Sequence, residues 1–306
     1  MTTTQETAVP KNPIGVHAGV WVGDWSPDSA RYAISESAKA GFDLIEIPAV
    51  DPSSVDITHT TRLLAEHGIQ AAFSLALGKD ADINSEDADR VARGERLLEN
   101  AVYQARDAGA HYVGGVLYSQ MGKYDLPFSA RGRANSLAVL GRVAAKAKAA
   151  RIALGLEYVN RYESNLLNTA EQTVAFIREL GADNVRLHLD TFHANLEESD
   201  LATPVETAGD LLAYIHAGES HRGYLGSGSI EWPTLFRALH RADFTGPVTF
   251  ESFSGTVLPR AVSDDIGLWR DPWANPVPVA RHARAFIATQ LEAAEQAVAP
   301  TLATRS

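Results

Sequence analysis

The chain has 306 residues, 45% of them hydrophobic and 21% charged, a composition that suits one large globular domain. Its formal charge of −11 and the lack of a Lys/Arg cluster argue against nucleic-acid binding, and the absence of cysteine excludes disulfides, thiolate zinc sites and cysteine nucleophiles. No signal-peptide pattern and no apolar run of bilayer-spanning length is present, so we expect a cytoplasmic protein without membrane contact.

Short, largely apolar strands alternate with helices along the chain. We predict strands at 14–17, 42–47, 69–77, 111–118, 152–157, 185–190, 213–216 and 247–251. Helices are predicted at about 27–40, 56–67, 86–108, 130–150, 169–180, 232–241 and 277–297, several of them closed by a glycine. The predicted domain covers residues 13–297, with tails at 1–12 and 298–306.

Eight strands in alternation with helices indicate an α/β fold in which a parallel sheet closes into a single (β/α)8 TIM barrel. A doubly wound open sheet is the alternative. It is disfavoured because no G-x-G-x-x-G follows the first strand and the ionisable strand ends are spread over many strands. The C-terminal strand ends of a barrel meet at one mouth, where barrel enzymes keep their chemistry. No nucleotide motif is present, and no nucleotide cofactor is expected.

Four strands end in a side chain that can bind a metal ion, on the face opposite the aliphatic one: Glu157, Asp190, His216 and Glu251. Three carboxylates and one imidazole suit a divalent ion such as Mn²⁺, Mg²⁺ or Co²⁺. Such a cluster needs a cation to stay ionised, because neighbouring carboxylates raise one another's pKa. A carboxylate that caps the next helix is the alternative for any single position, and four matching strand ends disfavour it.

Other ionisable residues leave alternatives open. Glu163 and His193 follow two of the candidate ligands and are either functional or solvated loop residues. Arg222 lies in a glycine-rich loop of the kind that binds phosphate in barrels, although Glu219 in the same loop works against an anion. The alternation of side chains along the strands places three more residues in the barrel interior: His17, Glu46 and His188. For these three, polar packing in the core and a functional role are equally compatible with the sequence.

Four segments together resemble the ketose 3-epimerases, the D-tagatose 3-epimerase and D-allulose (D-psicose) 3-epimerase group of the xylose-isomerase-like barrels. They are GLEYVNRYE at 155–163, LDTFHAN at 189–195, HAGESHR at 216–222 and FE at 250–251. The resemblance extends from about Ile14 to the last predicted helix. The loops after strands 1, 2 and 4, where the choice of sugar is made, match less sharply.

This resemblance implies a reaction and a role for seven residues. One divalent ion per chain, Mn²⁺ or Co²⁺ in most members, is held by Glu157, Asp190, His216 and Glu251. The two glutamates of that set also form the acid/base pair, and the sugar is bound near its first three carbons by Glu163, His193 and Arg222. The expected reaction inverts C3 of a free ketose, such as D-tagatose, D-allulose/D-fructose or L-ribulose, through a cis-enediolate on the metal. A homodimer or homotetramer is also implied.

Three other functions are weighed against this interpretation. An aldose–ketose isomerase of the same superfamily, for example one acting on hydroxypyruvate, uses similar ligands but moves a hydrogen between C1 and C2. A phosphodiesterase of the endonuclease IV type shares the barrel, but it holds several metals with many histidines, and the acidic charge counts against it. The presence of both glutamates disfavours a sugar-binding barrel without catalysis, although an inactive relative could keep them as metal ligands.

Overall fold

Eight parallel strands form one closed barrel in sequence order, as predicted. The structure, a computed structural model, describes residues 12–49 and 55–298. The strands are β1 Ile14–His17, β2 Leu44–Pro48, β3 Gln70–Ser74, β4 Tyr112–Gly115, β5 Ala153–Glu157, β6 Val185–Asp190, β7 Leu212–Ala217 and β8 Val248–Phe250. Because β8 also pairs with β1, the sheet has no free edge.

Helices cover the outside of the barrel. Within the described ranges they are α1 Pro27–Lys39, α2 Ile57–His67, α3 Ala88–Asp107, α4 Ala130–Ala149, α5 Ala170–Leu180, α6 Thr191–Glu197, α7 Thr203–Ala208, α8 Trp232–Arg241, α9 Arg260–Asp265 and α10 Pro276–Val298. None of these described helices combines the length and apolarity that crossing a bilayer requires. Most of the predicted tails, residues 1–11 and 299–306, lies outside the described residues, so the proposed domain limits stay a prediction.

The predicted ends of two strands were wrong. β3 ends at Ser74 instead of Leu77, and β4 ends at Gly115 instead of Tyr118. Gly115 has a φ of 112°, which ends the extended backbone of β4, and the two segments stay so close here that a Cβ on Gly115 would meet the carbonyl oxygen of Leu75. Apolar periodicity cannot signal such a turn, because the residues that follow it are buried as well.

Three short helices were missed: α6, α7 and α9, of seven, six and six residues. Segments of this length hold fewer than two full turns, too few for a 3.6-residue periodicity to emerge. α6 begins directly after Asp190, whose Oδ1 accepts the Phe192 backbone N–H at 2.8 Å. One carboxylate oxygen of Asp190 therefore caps a helix, while the other is directed to the barrel mouth.

Aromatic side chains fill the lower half of the barrel interior. Tyr112 and Tyr214 stack with ring centroids 4.5 Å apart and pack with Leu44 and Ala72. The rings fit because a neighbouring strand has no side chain at Gly155, where a Cβ would overlap the Tyr112 hydroxyl oxygen. This layer supports the polar residues above it.

Gly155→Ala should lower the free energy of unfolding by about 1–3 kcal/mol, because the added methyl overpacks a filled barrel. Gly141 in α4 provides the control, since the nearest atom to a Cβ there is Leu180 Cδ1 at 3.8 Å. Gly141→Ala should be stabilising by about 0.5–1 kcal/mol. Urea unfolding followed by circular dichroism measures both changes. A Gly155→Ala protein as stable as the parent would contradict the described packing.

Candidate active site and metal centre

The ends of four strands bring the four candidate metal ligands together. Glu157 and Asp190 are the last residues of β5 and β6, His216 is in β7, and Glu251 directly follows β8. All four are buried, and one ligand atom from each lies within 4.8 Å of every other. Glu157 and Glu251 thus face the same small space, although they are 94 positions apart in the sequence.

Direct contacts link these side chains. His216 Nδ1 lies 3.1 Å from Glu157 Oε1 and 3.5 Å from Glu251 Oε1. Asp190 Oδ2 accepts a hydrogen bond from Arg222 Nη1 at 2.9 Å, and the same nitrogen pairs with Glu251 Oε2. The carboxylates are therefore paired with Arg222, which is cationic, and with His216, which is cationic when protonated.

Burial and crowding separate the acidities of the two glutamates. Burial raises the pKa of Glu157, and the charges of Glu251 and Asp190 raise it further against the opposing effect of His216. Burial alone would also raise the pKa of Glu251, but the Arg222 guanidinium and His216 outweigh it and hold that pKa below its usual range. Two carboxyls with opposite shifts are typical of an acid/base pair.

The donor set fits a divalent cation. Three buried carboxylates and one imidazole nitrogen converge on one point, and hard or borderline ions such as Mn²⁺, Mg²⁺ and Co²⁺ prefer this mixture. The pKa of His216 lies well above its usual range: burial lowers it, but Glu46, Glu251 and Glu157 raise it by more. A cation bound at this point would compensate the negative charge of carboxylates that are otherwise paired with His216 and Arg222.

His193 and Glu163 lie beside the cluster. The Asn160 side-chain and backbone N–H groups both approach His193 Nδ1, at 2.9 and 3.2 Å, which leaves the imidazole hydrogen on Nε2. That nitrogen is 3.6 Å from Asp190 Oδ2 and 4.0 Å from Glu163 Oε2. Burial lowers the pKa of His193 to about 3, so the ring is a neutral donor. The sequence had assigned no role to Asn160.

Arg222 is held rigidly above the ligands. Its backbone adopts a φ of 59°, a left-handed conformation that non-glycine residues adopt at a cost in energy. Ser252 Oγ donates to its carbonyl at 2.5 Å, and its guanidinium carbon lies 4.0 Å from the centre of the Phe192 ring. Strain at a residue whose side chain enters the cluster is consistent with a functional position.

Glu219 has a structural role in the loop that carries Arg222. Its carboxylate accepts the backbone N–H groups of Ser220 and Gly226, each at 2.8 Å, and the Trp232 indole N–H at 3.1 Å. The sequence had suggested that this charge would repel an anion. These contacts show that the carboxylate also closes the loop.

The three interior residues left open by the sequence lie around His216. Glu46 Oε2 is 2.8 Å from His216 Nε2, and His17 Nε2 is 3.9 Å from Glu46 Oε1. The His188 ring centroid is 4.1 Å from that of His216, and neither of its nitrogens has a hydrogen-bond partner among the described residues. These three are therefore neighbours of the ligand His216, and His17 and Glu46 also line the cavity at the barrel mouth.

A cavity of about 290 Å³ opens above the cluster. Apolar side chains from the loops after several strands form its far wall: Val22, Val116, Met121, Leu258, Val262 and Ile266. Within the described chain, Arg222 is the only Arg or Lys that lines it. The size suits one small molecule, oriented by the few polar groups at its floor.

Comparison with known proteins gives consistent matches over nearly the whole chain. A family model described as xylose isomerase-like TIM barrel matches residues 34–296. The chain is 46% identical to a ketose 3-epimerase of Arthrobacter globiformis, covering 92% of this chain and 97% of that one. It is 42% identical to an L-ribulose 3-epimerase of Mesorhizobium japonicum, covering 92% and 95%.

Solved structures agree with these matches. An L-ribulose 3-epimerase superimposes with a TM-score of 0.93 at 39% identity, covering 96% of this chain and 99% of the other. A D-allulose 3-epimerase from Methylomonas sp., in complex with D-allulose, gives a TM-score of 0.89 at 42% identity, covering 92% and 98%.

Proposed function

We propose a role for each residue of this site, because the chain belongs to the ketose 3-epimerases, a family of xylose isomerase-like TIM barrels. It is therefore an enzyme that inverts C3 of a ketose. Inversion requires that a proton leaves C3 on one face and that another arrives on the opposite face. The observation that carries the proposal is that two buried glutamates, Glu157 and Glu251, face the same small space across His216.

The metal is the first part of the proposal. One divalent ion, Mn²⁺ by preference and Co²⁺ or Mg²⁺ as alternatives, would be held by Glu157, Asp190, His216 and Glu251. Such an ion, when bound, supplies Lewis acidity that polarises the ketose carbonyl and acidifies the adjacent C–H. Burial of all four residues supports this assignment, since uncompensated carboxylates are costly in the protein interior.

The proton transfers are assigned to the two glutamates. The ionised carboxylate that faces the C3 hydrogen takes the proton, and the other carboxyl returns one from the opposite side. The positions of Glu157 and Glu251 support this assignment, because both carboxylates lie within 3.5 Å of His216 Nδ1 and therefore face the same space. The direction of the reaction decides which glutamate acts as base, since each epimer presents its C3 hydrogen on a different face.

Sugar binding is assigned to two residues that line the cavity, His193 and Arg222, and to Glu163 beside them. His193 Nε2–H and the Arg222 guanidinium would donate to oxygens on the first three carbons, and Glu163 would accept from a hydroxyl. Arg222, which is already paired with Asp190 and Glu251, is the only Arg or Lys among the described residues that line this cavity, and Arg270 lines an adjoining pocket. We therefore propose free ketoses as substrates, such as L-ribulose, D-allulose/D-fructose and D-tagatose, in line with the relatives' names.

Incubating the Mn²⁺-loaded protein with a panel of free ketoses and resolving the products tests this function directly. We expect each accepted ketose to give its C3 epimer. Aldose products would instead favour the isomerase alternative, which moves a hydrogen between C1 and C2.

His193→Ala and Arg222→Ala should each lower kcat/KM by roughly 10- to 100-fold, on the scale of lost charge-assisted or buried hydrogen bonds to substrate. Metal content should stay near one ion per chain, because neither side chain belongs to the ligand set. Steady-state kinetics and elemental analysis measure the two quantities. Arg142→Ala is the control, since that arginine pairs with Glu95 on the outer helices. Loss of the metal in either site variant would contradict the assignment.

A homodimer or homotetramer in the cytoplasm completes the proposal and rests on the resemblance to the family. Multi-angle light scattering of the purified protein gives the stoichiometry, and a monomeric mass would contradict it.

A further inference from the structure

A buried carboxylate lies behind the imidazole of the proposed metal centre. Glu46 is the third residue of β2, in register with His17 on β1 and Ala72 on β3, and it is 1% exposed. Its Oε2 reaches across the barrel to His216 Nε2 on β7 at 2.8 Å, a contact between residues 170 positions apart. A carboxylate in a barrel interior is costly unless its partners compensate for lost hydration.

This contact decides which nitrogen of His216 can bind a metal. An ionised carboxylate only accepts hydrogen bonds, so Nε2 must carry a hydrogen. In the neutral ring that binds a metal, Nδ1 is then the nitrogen that offers a lone pair, and it is the one that lies 3.1 Å from Glu157 Oε1. The contact with Glu46 thus leaves Nδ1, the nitrogen nearest the carboxylates, free to bind a metal ion.

Other neighbours of His216 pack against its ring without bonding to Nε2. The His188 and Tyr214 rings lie with centroids 4.1 and 5.7 Å away, at interplanar angles of 73° and 81°. Among the described residues, Glu46 supplies the acceptor for Nε2. We propose that Glu46 is a positioning residue of the metal centre, which fixes the tautomer and the ring orientation of His216.

The second oxygen of Glu46, Oε1, has no partner within hydrogen-bond distance among the described residues, and His17 lies nearby. His17 Nδ1 accepts the Gly19 backbone N–H at 3.0 Å, so the His17 hydrogen lies on Nε2, the nitrogen 3.9 Å from Glu46 Oε1. The Glu46 carboxylate therefore lies between two imidazole N–H groups, the nearer of which belongs to His216. Replacing it should free the His216 ring to rotate and to exchange tautomers.

Mn²⁺ affinity measures this role directly, and the inference rests on the proposed metal site. Glu46→Leu should weaken Mn²⁺ binding by roughly 10- to 100-fold, the usual effect of losing a carboxylate that orients a metal-binding histidine. Glu46→Gln keeps an acceptor oxygen without the charge and should fall between the parent and the leucine variant. Equilibrium dialysis gives the affinity, and the visible absorption of the Co²⁺-loaded protein should change in Glu46→Leu because the ligand geometry changes.

Tyr112→Phe is the matched control, because this interior residue has a hydroxyl without a partner among the described residues. It should leave the Mn²⁺ affinity and the Co²⁺ spectrum unchanged. Parent-like affinity and spectrum in Glu46→Leu would overturn the inference, as would an equal loss in Tyr112→Phe, which would indicate general loosening of the barrel. If Glu46→Leu does not fold, an unchanged affinity in Glu46→Gln overturns it. Failure of the parent protein to bind Mn²⁺ would instead reject the proposed metal site.

Discussion

Glu157→Gln and Glu251→Gln are each expected to lower kcat for C3 inversion by roughly 10²- to 10⁴-fold, the usual contribution of a general acid or base. The amide keeps the shape and one ligand oxygen but cannot accept the C3 proton. Mn²⁺ affinity should fall only in part, so assays at saturating Mn²⁺ isolate the effect on proton transfer. Glu179→Gln is the control, because this glutamate pairs with Arg133 on the outer helices.

Isotope exchange separates the two glutamates and tests the reaction class. In D₂O the parent enzyme should place deuterium at C3 of the ketose, because a carboxyl that has taken the proton can exchange it with solvent before returning it. A single Gln variant should lose inversion but still exchange the C3 hydrogen of one epimer through its remaining glutamate. NMR locates the label. Label confined to C1 or C2, or near-normal turnover by both variants, would contradict the two-glutamate mechanism.

Removal of the metal is expected to abolish epimerisation and to lower the melting temperature by about 5 °C. An ion that binds only the folded chain at 100 times its dissociation constant adds about 2.7 kcal/mol of stability, and each kcal/mol shifts Tm by a few degrees in a chain of this size. Removal also leaves Glu157, Asp190 and Glu251 crowded in a buried space. Differential scanning calorimetry and activity before and after EDTA treatment measure the effect.

Two controls restrict this result to the proposed site. Re-addition of Mn²⁺ should restore both Tm and turnover, and a His216→Ala variant should show a much smaller response to EDTA. Full activity in a preparation that elemental analysis finds free of metal would contradict the proposed centre. Equal EDTA sensitivity in His216→Ala would place the stabilising ion elsewhere.

Local patterns in the sequence were sufficient to predict the barrel and to predict that the candidate ligands lie close together. Each strand has a two-residue period, so the parity of Glu157, Asp190 and His216 could be counted along their own strands. Parallel strands in a barrel bring their C-terminal ends to one mouth, so similar positions on different strands become neighbours in space. Neither step depends on knowing which side chains touch.

The contacts inside the barrel were decided by the tertiary structure. Parity placed Glu46 and His188 in the interior, but only closure of the barrel and the register between strands set Glu46 against His216 and left His188 beside it. The same holds for Arg222, because its entry between Asp190 and Glu251 depends on a left-handed backbone and a loop closed by Glu219. Sequence periodicity describes one segment at a time, whereas these contacts join segments whose relative positions exist only after the chain has closed on itself.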